Sequence, residues 1–329
     1  MAEPMNFSRG SRLGVCLLAT FALADRGRAD VTLAPLFRDH AVLQSGRPLP
    51  VWGKADPGER VTVEFMHQRA ASVADASGRW KVSIAALPPS STPEKMIVSG
   101  KNSVTVSDIL VGEVWLASGQ SNMARALSGT LRAKEEIAAA HYPLIRHFNV
   151  RNTTAEQPAD TVEGTLQECT PETVADFSGV GFFFARDLFR NLGVPVGLIH
   201  SSWGGTPIES WISDAALRST AVYPEIASRW RSDSSEFVQR KKLHPHEQAI
   251  WKKEEDRAFA ARALNSLPWP TPPIGPGTPY APSRAYNGMI APLRTYALRG
   301  VIWWQGESNA ARAAGYGELF QTLIRSWRA

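Results

Sequence analysis

The stretch I-L-V-G-E-V-W-L-A-S-G-Q-S-N-M, residues 109–123, decides the fold. Residues 109–117 are mostly apolar, as in a buried strand, and they run directly into a short loop of small and amide residues that contains Ser121. The pattern predicts a strand, a glycine loop and a helix in succession. That succession is the repeating unit of a parallel sheet covered by helices.

The same design occurs twice more along the chain. An apolar strand over 196–200 leads into S-S-W-G-G-T (201–206), and another over 300–304 leads into Q-G-E-S-N (305–309). In a doubly wound parallel sheet, the loops that leave the carboxyl ends of the strands share one edge, where ligands bind. We therefore expect the three loops to line one pocket.

The remainder of the predicted α/β domain, residues 108–329, fits this alternation. A helix over about 180–192 is expected to end at Gly193, with Pro195 just beyond it. A charged stretch over about 229–265 predicts a helical insertion with a solvated face, followed by a proline-rich loop. The fold class expected for this region is α/β, with helices on both faces of a parallel sheet.

Residues 30–107 follow a different rhythm, with short alternating segments between turn signals. The predicted strands are 48–53, 60–65, 79–84 and 103–106. Short strands at this spacing indicate a small antiparallel β-sandwich. Since no titratable groups cluster there, we expect this domain to be structural.

Residues 1–29 are typical of a cleaved secretory signal. Arg9 and Arg12 precede an apolar run over 13–24, and small and polar residues follow it. The run is shorter than the roughly 18 residues of a spanning helix, so we expect export, with no membrane span after cleavage. A buried N-terminal helix is the alternative.

Cysteine use is compatible with export to a bacterial periplasm or to the medium. Cys16 lies inside the predicted signal, which leaves Cys169 alone in the mature chain. An internal disulfide is then impossible, and an exported protein without disulfides suits the periplasm better than a disulfide-rich extracellular module.

The charge balance argues against nucleic acid as a partner. The net charge of +5 falls to about +3 without the predicted signal, and the Lys and Arg residues are scattered. A nucleic-acid interface needs them clustered. The seven histidines and the acidic residues show no metal-ligand spacing, so neither a metal nor another cofactor is expected.

Ser121 is the candidate nucleophile for acyl transfer. Free backbone amides and the positive end of a helix dipole favour an anion close to a serine at a helix start. Acyl transfer requires such donors because the carbonyl oxygen becomes an oxyanion. Alternatives remain: Ser121 as an ordinary helix N-cap, Gly204 and Gly205 as a tight turn, and Gln305 as a satisfied buried amide.

Several segments resemble the sialate O-acetylesterase family, which belongs to the SGNH-type serine esterases. They are G-Q-S-N-M (119–123), W-G-G-T-P-I-E-S-W (203–211), Y-N-G-M-I-A-P-L (286–293), W-W-Q-G-E-S-N (303–309), and in the β-rich region F-R-D-H-A-V-L-Q (37–44) and V-W-G-K-A-D-P-G-E (51–59). The likeness covers nearly all of the mature chain. It implies an SGNH or flavodoxin-like sheet and a metal-independent ester hydrolase.

The resemblance also assigns roles to four residues. Ser121 corresponds to the nucleophile, whose own amide is one oxyanion donor. Gly205 corresponds to a second oxyanion donor, and Gln305 to a side-chain donor. Glu307 either orients its neighbours by hydrogen bonding or has a surface or capping role. The implied substrate is an O-acetylated sialic acid or a related sugar, and a xylan-type polysaccharide is the nearest alternative.

The catalytic histidine is the missing part. In the resembling family a C-terminal Asp-x-x-His segment supplies the base and its carboxylate, and no Asp-x-x-His occurs in this sequence. Of the histidines present, only His200 is expected to approach the pocket, and a satisfied core histidine is the alternative; the others are His40, His67, His141, His147, His244 and His246. We therefore expect a truncated esterase, or a catalytically inactive remnant that at most binds acetylated glycans.

Overall fold

The computed structural model describes Met1 and residues 30–329, so the predicted signal lies almost entirely outside the described residues. The strands of the described chain are β1 Thr32–Leu33, β2 Val42–Gln44, β3 Leu49–Lys54, β4 Arg60–Phe65, β5 Gln68–Val73, β6 Arg79–Ile84, β7 Ser90–Ser99, β8 Ser103–Gly119, β9 Tyr142–Val150, β10 Gly164–Cys169, β11 Val196–Ser202 and β12 Gly300–Trp304. Its α-helices are α1 Ser121–Ala124, α2 Ala133–Ala138, α3 Gly179–Leu192, α4 Asp214–Arg218, α5 Tyr223–Ala260 and α6 Tyr316–Arg328. No helix among these is long and apolar enough to cross a membrane.

The predicted β-sandwich is confirmed in the first third of the described chain. Strands β1, β3 and β6 form one antiparallel sheet, and β4, β5 and β7 continue from β8 in another. Along β6 exposed and buried residues alternate strictly, as expected for strands with one face in a core. Gly58 and Gly78 supply the positive φ angles of 80° and 76° that the turns between these strands need.

Strand β8 joins this region to the rest of the molecule. It is 17 residues long, pairs antiparallel with β7 through its first half, and pairs parallel with β11 and β12 through its second half. Asp108, at a φ of 52°, lies where the register with β7 shifts, between Val106 and Ile109, and the antiparallel pairing continues to Val111. The strand therefore crosses the boundary predicted at residues 107 and 108.

The α/β fold class is confirmed, and the nine-stranded sheet is mixed. Its parallel part runs in the order β9, β11, β8 and β12, while β10 closes one side antiparallel to β9. Such an antiparallel edge on a parallel sheet is common, and hydrophobic pattern alone does not distinguish the two directions.

Helices cover both faces of the parallel strands. Phe182 and Ala185 of α3 pack with Ile145 of β9 on one face. On the opposite face Ile199 of β11 shares a core with Leu319 of α6. Helix α3 ends where the sequence predicts, because Gly193 adopts the left-handed conformation at a φ of 66°.

The predicted helical insertion corresponds to α5, which spans 38 residues. Its polar composition explains why Ile226 and Ala258 are its only fully buried residues. The proline-rich segment after it returns the chain to Ser283, whose amide donates to the carbonyl of Glu209 at 3.0 Å. This return places the insertion beside the loop that follows β11.

Candidate active site

Ser121 lies at the carboxyl end of β8, immediately after a turn that only glycine allows. Gly119 has a φ of 142°, and a Cβ atom there would lie 2.0 Å from the carbonyl oxygen of Trp304. The side chain of Ser121 is exposed. It is the first residue of α1, and Gln120 occupies the N-cap position without a side-chain capping bond. The N-cap interpretation of Ser121 is therefore wrong.

Helix α1 is short, because it ends at Ala124 after four residues. The helix dipole is a sum over aligned peptide units, so one turn contributes little of it. The electrostatics at Ser121 therefore depend on individual backbone amides.

The three strand-end loops converge, as predicted. The backbone amide of Gln120 donates to Trp304 at 2.9 Å, and its side-chain oxygen accepts from the amides of Gly306 and Ser308 at 3.3 and 3.2 Å. The amide of Trp203 donates to the carbonyl of Gly119 at 3.1 Å. These bonds tie the loops after β8, β11 and β12 into one edge.

The loop after β11 brings unpaired amides to the serine. A Cβ atom on Gly204 would lie 3.7 Å from Cβ of Ser121, so the two backbones are in close contact. Gly205 has a φ of 78° and forms a tight turn with Gly204, which the amide and hydroxyl of Thr206 close onto the carbonyl of Trp203. Within the described chain, the amides of Ser121, Gly204 and Gly205 have no hydrogen-bond acceptor. The tight turn of Gly204 and Gly205 therefore also presents the candidate oxyanion donors.

Gln305 is held firmly by its nitrogen. Its Nε2 donates to the carbonyl of Thr206 at 3.2 Å and to Oδ1 of Asn309 at 2.8 Å. Its Oε1 is buried and has no partner among the described residues. The amide is therefore only half satisfied. Its role as an oxyanion donor stays a prediction, because both Nε2 hydrogens now face protein acceptors.

Glu307 has a specific partner at the site. Its carboxylate accepts a hydrogen bond from the side-chain amide of Asn122, the residue after Ser121. Glu307 is also the first residue of a short 3-10 helix over Glu307–Gly315. The bond from Asn122 fits the orienting interpretation, whereas Gly306 holds the N-cap position of this helix.

His200 is a satisfied core histidine. Its Nδ1 contacts Asn149 Oδ1 at 2.9 Å and its Nε2 contacts the hydroxyl of Ser202 at 2.5 Å. Burial lowers the pKa of His200 to about 4, so the ring is neutral at pH 7. With Nδ1–H donating to Asn149 Oδ1, Nε2 is left to accept from the Ser202 hydroxyl. His147 stacks on Phe177. None of the seven histidines, all of which lie in the described chain, hydrogen-bonds Ser121.

One group of side chains with metal-ligand character was not apparent from the sequence. Ligand atoms of His40, Asp108 and Glu168 lie within 4.8 Å of one another. Arg146 Nη1 donates to both carboxylates at 2.8 Å, so a buried guanidinium already supplies the positive charge at this point. The group lies at the base of the sandwich, and its members come from three distant segments.

A cavity of about 300 Å³ extends from the serine loops toward α5. Gly205 and Ser308 of the serine loops line it, and Trp230 and Tyr280 supply aromatic surface. Its charged lining residues are Glu209, Arg229, Asp233 and Arg312. Burial raises the pKa of Asp233 and of Tyr280. The sequence pattern does not predict this cavity, because α5 reaches it only through the tertiary fold.

A parallel sheet whose carboxyl edge presents an exposed serine beside unpaired backbone amides is typical of the α/β serine hydrolases. Comparison with known proteins narrows the class. The family profile "Carbohydrate esterase, sialic acid-specific acetylesterase" matches residues 111–245. Over nearly all of its length the chain is similar to members of the sialate O-acetylesterase family.

Individual relatives support the same assignment. Sialate O-acetylesterase of Rattus norvegicus is 31% identical over 341 residues, which cover 96% of this chain and 59% of the relative. The Homo sapiens protein of that name is 31% identical over 300 residues, which cover 84% of this chain and 49% of the relative. The solved structure of a carbohydrate acetylesterase from Xanthomonas citri superposes with a TM-score of 0.70 at 33% identity. The match covers 91% of this chain and 57% of the Xanthomonas citri chain. The chain thus spans 49% to 59% of the length of these relatives.

Proposed function

We propose that this protein hydrolyses O-acetyl esters of sugars, with Ser121 as the nucleophile. The observation that carries the proposal is the exposed Ser121 side chain beside the unpaired amides of Ser121, Gly204 and Gly205. Backbone donors in such a position stabilise the oxyanion that forms when a hydroxyl adds to an ester carbonyl. Similarity to the sialate O-acetylesterase family supports the same chemistry.

The reaction would proceed through an acyl-enzyme. Ser121 Oγ adds to the acetyl carbonyl carbon, the tetrahedral intermediate collapses, and the sugar hydroxyl leaves with a proton. Water then releases acetate from Ser121. A base must accept the serine proton in the first step. His200 is not placed for this, since both of its nitrogens are engaged with Asn149 and Ser202.

The cavity beside Gly205 suits a sugar as the alcohol part of the ester. Trp230 and Tyr280 provide apolar ring surface, and Arg229, Asp233 and Arg312 provide hydrogen-bonding groups. Sugar sites combine these two kinds of surface. We propose an acetylated sialic acid or a related sugar as the substrate, as the names of the relatives suggest. Comparing acetylated sialic acid with acetylated xylan as substrates separates this proposal from a polysaccharide esterase.

A non-catalytic glycan-binding protein is the second candidate. It is favoured by the engagement of His200, which leaves Ser121 without a histidine partner in the described chain. In that case acetylated sugars would bind in the cavity without turnover.

Hydrolysis of p-nitrophenyl acetate by the wild-type chain and by Ser121→Ala distinguishes the candidates. The esterase proposal expects hydrolysis well above the buffer rate, abolished in Ser121→Ala, and covalent labelling of Ser121 by a serine-reactive phosphonate. Equal background rates for both proteins, with no labelled Ser121 peptide, would leave only the binding function.

We further propose that the protein is exported, on the basis of the apolar run over 13–24 behind Arg9 and Arg12. Cell fractionation with N-terminal sequencing of the mature protein tests this. A cytoplasmic product that retains residue 1 would contradict it.

A further inference from the structure

The segment I-E-S-W after the W-G-G-T loop contains a buried carboxylate whose role the proposed chemistry leaves open. Glu209 is 2% exposed and accepts hydrogen bonds from Arg229 Nη2 at 2.5 Å and from Asn309 Nδ2 at 2.8 Å. Arg312 lies 3.5 Å away. A buried carboxylate with several charged and polar partners is costly to form and rigid once formed. Glu209 therefore fixes the position of Asn309.

The orientation of the Asn309 amide follows without ambiguity. Its Nδ2 faces the Glu209 carboxylate, which only accepts, and its Oδ1 faces the backbone amide of Ile208 at 2.9 Å, which only donates. Reversing Asn309 would place a donor against a donor and an acceptor against an acceptor. The side chain is 2% exposed, so water cannot relieve the conflict.

Asn309 in turn fixes the orientation of the Gln305 amide. Since Asn309 presents Oδ1, the group of Gln305 that meets it at 2.8 Å must be Nε2. The second Nε2 hydrogen points to Thr206 in the W-G-G-T loop at 3.2 Å. Nε2 is thereby directed to the same loop as the unpaired amides of Gly204 and Gly205.

We infer that Glu209 is a positioning residue that sets the donor end of Gln305 toward the oxyanion. The inference rests on the proposed function and on the role of oxyanion donor that the family resemblance gives to Gln305. When the oxyanion forms, it replaces the Thr206 carbonyl as the acceptor of the longer Nε2 hydrogen bond. The other Nε2 hydrogen remains bonded to Asn309. Arg229 extends the same chain of hydrogen bonds into α5, which connects the wall of the cavity to the catalytic edge.

Three variants test this. Glu209→Gln leaves one oxygen for two donors, so either Arg229 or Asn309 loses its acceptor. The double variant Glu209→Gln with Asn309→Asp restores the sequence of donors and acceptors, because the new amide donates to the new carboxylate, which still accepts from Gln305 and Ile208. Glu113→Gln is the matched control: Glu113 is also buried and paired with an arginine, Arg299 at 2.7 Å, on β8 far before Ser121.

The first readout is the rate of phosphonate labelling at Ser121, normalised to the folded fraction. We expect Glu209→Gln to lower the labelling rate about 10-fold or more. Deleting an oxyanion donor lowers the rate of acyl transfer about 10²- to 10³-fold, and a misplaced donor should lose part of that effect. The double variant should recover most of the rate, and Glu113→Gln should keep the wild-type rate. A wild-type rate in Glu209→Gln, or no recovery in the double variant, overturns the inference.

The second readout does not require a reactive serine. NMR signals of the Gln305 side-chain amide, assigned with Gln305→Glu, should show slow hydrogen exchange in the wild type, fast exchange in Glu209→Gln and slow exchange again in the double variant. If Ser121 in the wild type is never labelled, the proposed function fails while this measurement still decides the positioning role. Unchanged exchange in Glu209→Gln would contradict it.

Discussion

Gln120 and Ser308 lie 188 residues apart in the sequence, and the side-chain oxygen of Gln120 accepts the backbone amide of Ser308 at 3.2 Å. The same oxygen accepts from Gly306 at 3.3 Å. One buried side chain thus holds the loop after β12 against the residue that precedes the candidate nucleophile.

Replacing Gln120 by methionine keeps the volume of the side chain and removes this acceptor. Two backbone amides then lose their partner, and we expect the free energy of unfolding to fall by about 1–3 kcal/mol. Urea denaturation followed by tryptophan fluorescence measures the change. Gln157→Met, at an exposed position, is the matched control and should leave the stability within about 0.5 kcal/mol of wild type.

Gly119→Ala should be more damaging. At a φ of 142° an added Cβ is strained, and it would lie 2.0 Å from the Trp304 carbonyl that receives the amide of Gln120. We expect a loss of at least about 2 kcal/mol in calorimetric stability. Gly317→Ala in α6 meets no atom within 4 Å and should have the opposite sign, because alanine favours the helix. Equal melting temperatures for the two variants would refute the close-contact argument.

The buried histidines predict how stability depends on pH. The folded-state pKa of His200, about 4, lies below its ordinary value of 6.5 because the ring is desolvated. Between these two pH values the unfolded chain binds a proton that the folded chain does not bind. The free energy of unfolding therefore falls as the pH drops from about 6.5 to about 4. The shift corresponds to about 3 kcal/mol. Burial, together with the nearby His200, also lowers the pKa of His147, which steepens the same loss.

Denaturant unfolding at pH 7, 6, 5 and 4 measures this slope. His200→Gln should flatten it, whereas His246→Gln, on the exposed side of α5, should keep it. A slope that persists unchanged in His200→Gln would show that His200 is not the proton-linked group.

Cys169 offers a chemical probe of the same core. It is fully buried at the end of β10, and burial raises the pKa of its thiol to about 12. The thiolate is the reactive form, so the native protein should not react with a disulfide reagent on the time scale of minutes. In a Cys16→Ser background, one thiol should become reactive upon addition of denaturant. Rapid reaction without denaturant would mean that this part of the sheet opens.

The local features of the fold were predictable because they depend on neighbouring residues. β4 and β6 follow the predicted limits, and Gly193 ends α3 as expected. The convergence of the loops carrying Ser121 and Gln305 also followed, since parallel strands place their carboxyl ends together. These predictions required only periodicity and glycine positions.

The features that escaped prediction depend on contacts between distant segments. Nothing in the local pattern pairs Glu209 with Arg229, or places His40 beside Asp108. The antiparallel direction of β10 is equally non-local, because it is defined relative to β9 and the residue pattern of one strand does not reveal it.

Strand β8 has a consequence for how the molecule responds to heat or force. Because the same 17 residues pair with β7 in the sandwich and with β11 and β12 at the serine edge, neither region can melt without removing the central strand of the other. Two regions that differ in composition and rhythm therefore form one cooperative unit. A substitution that unfolds the sandwich should therefore also disturb the end of β8, where Gly119 precedes Ser121.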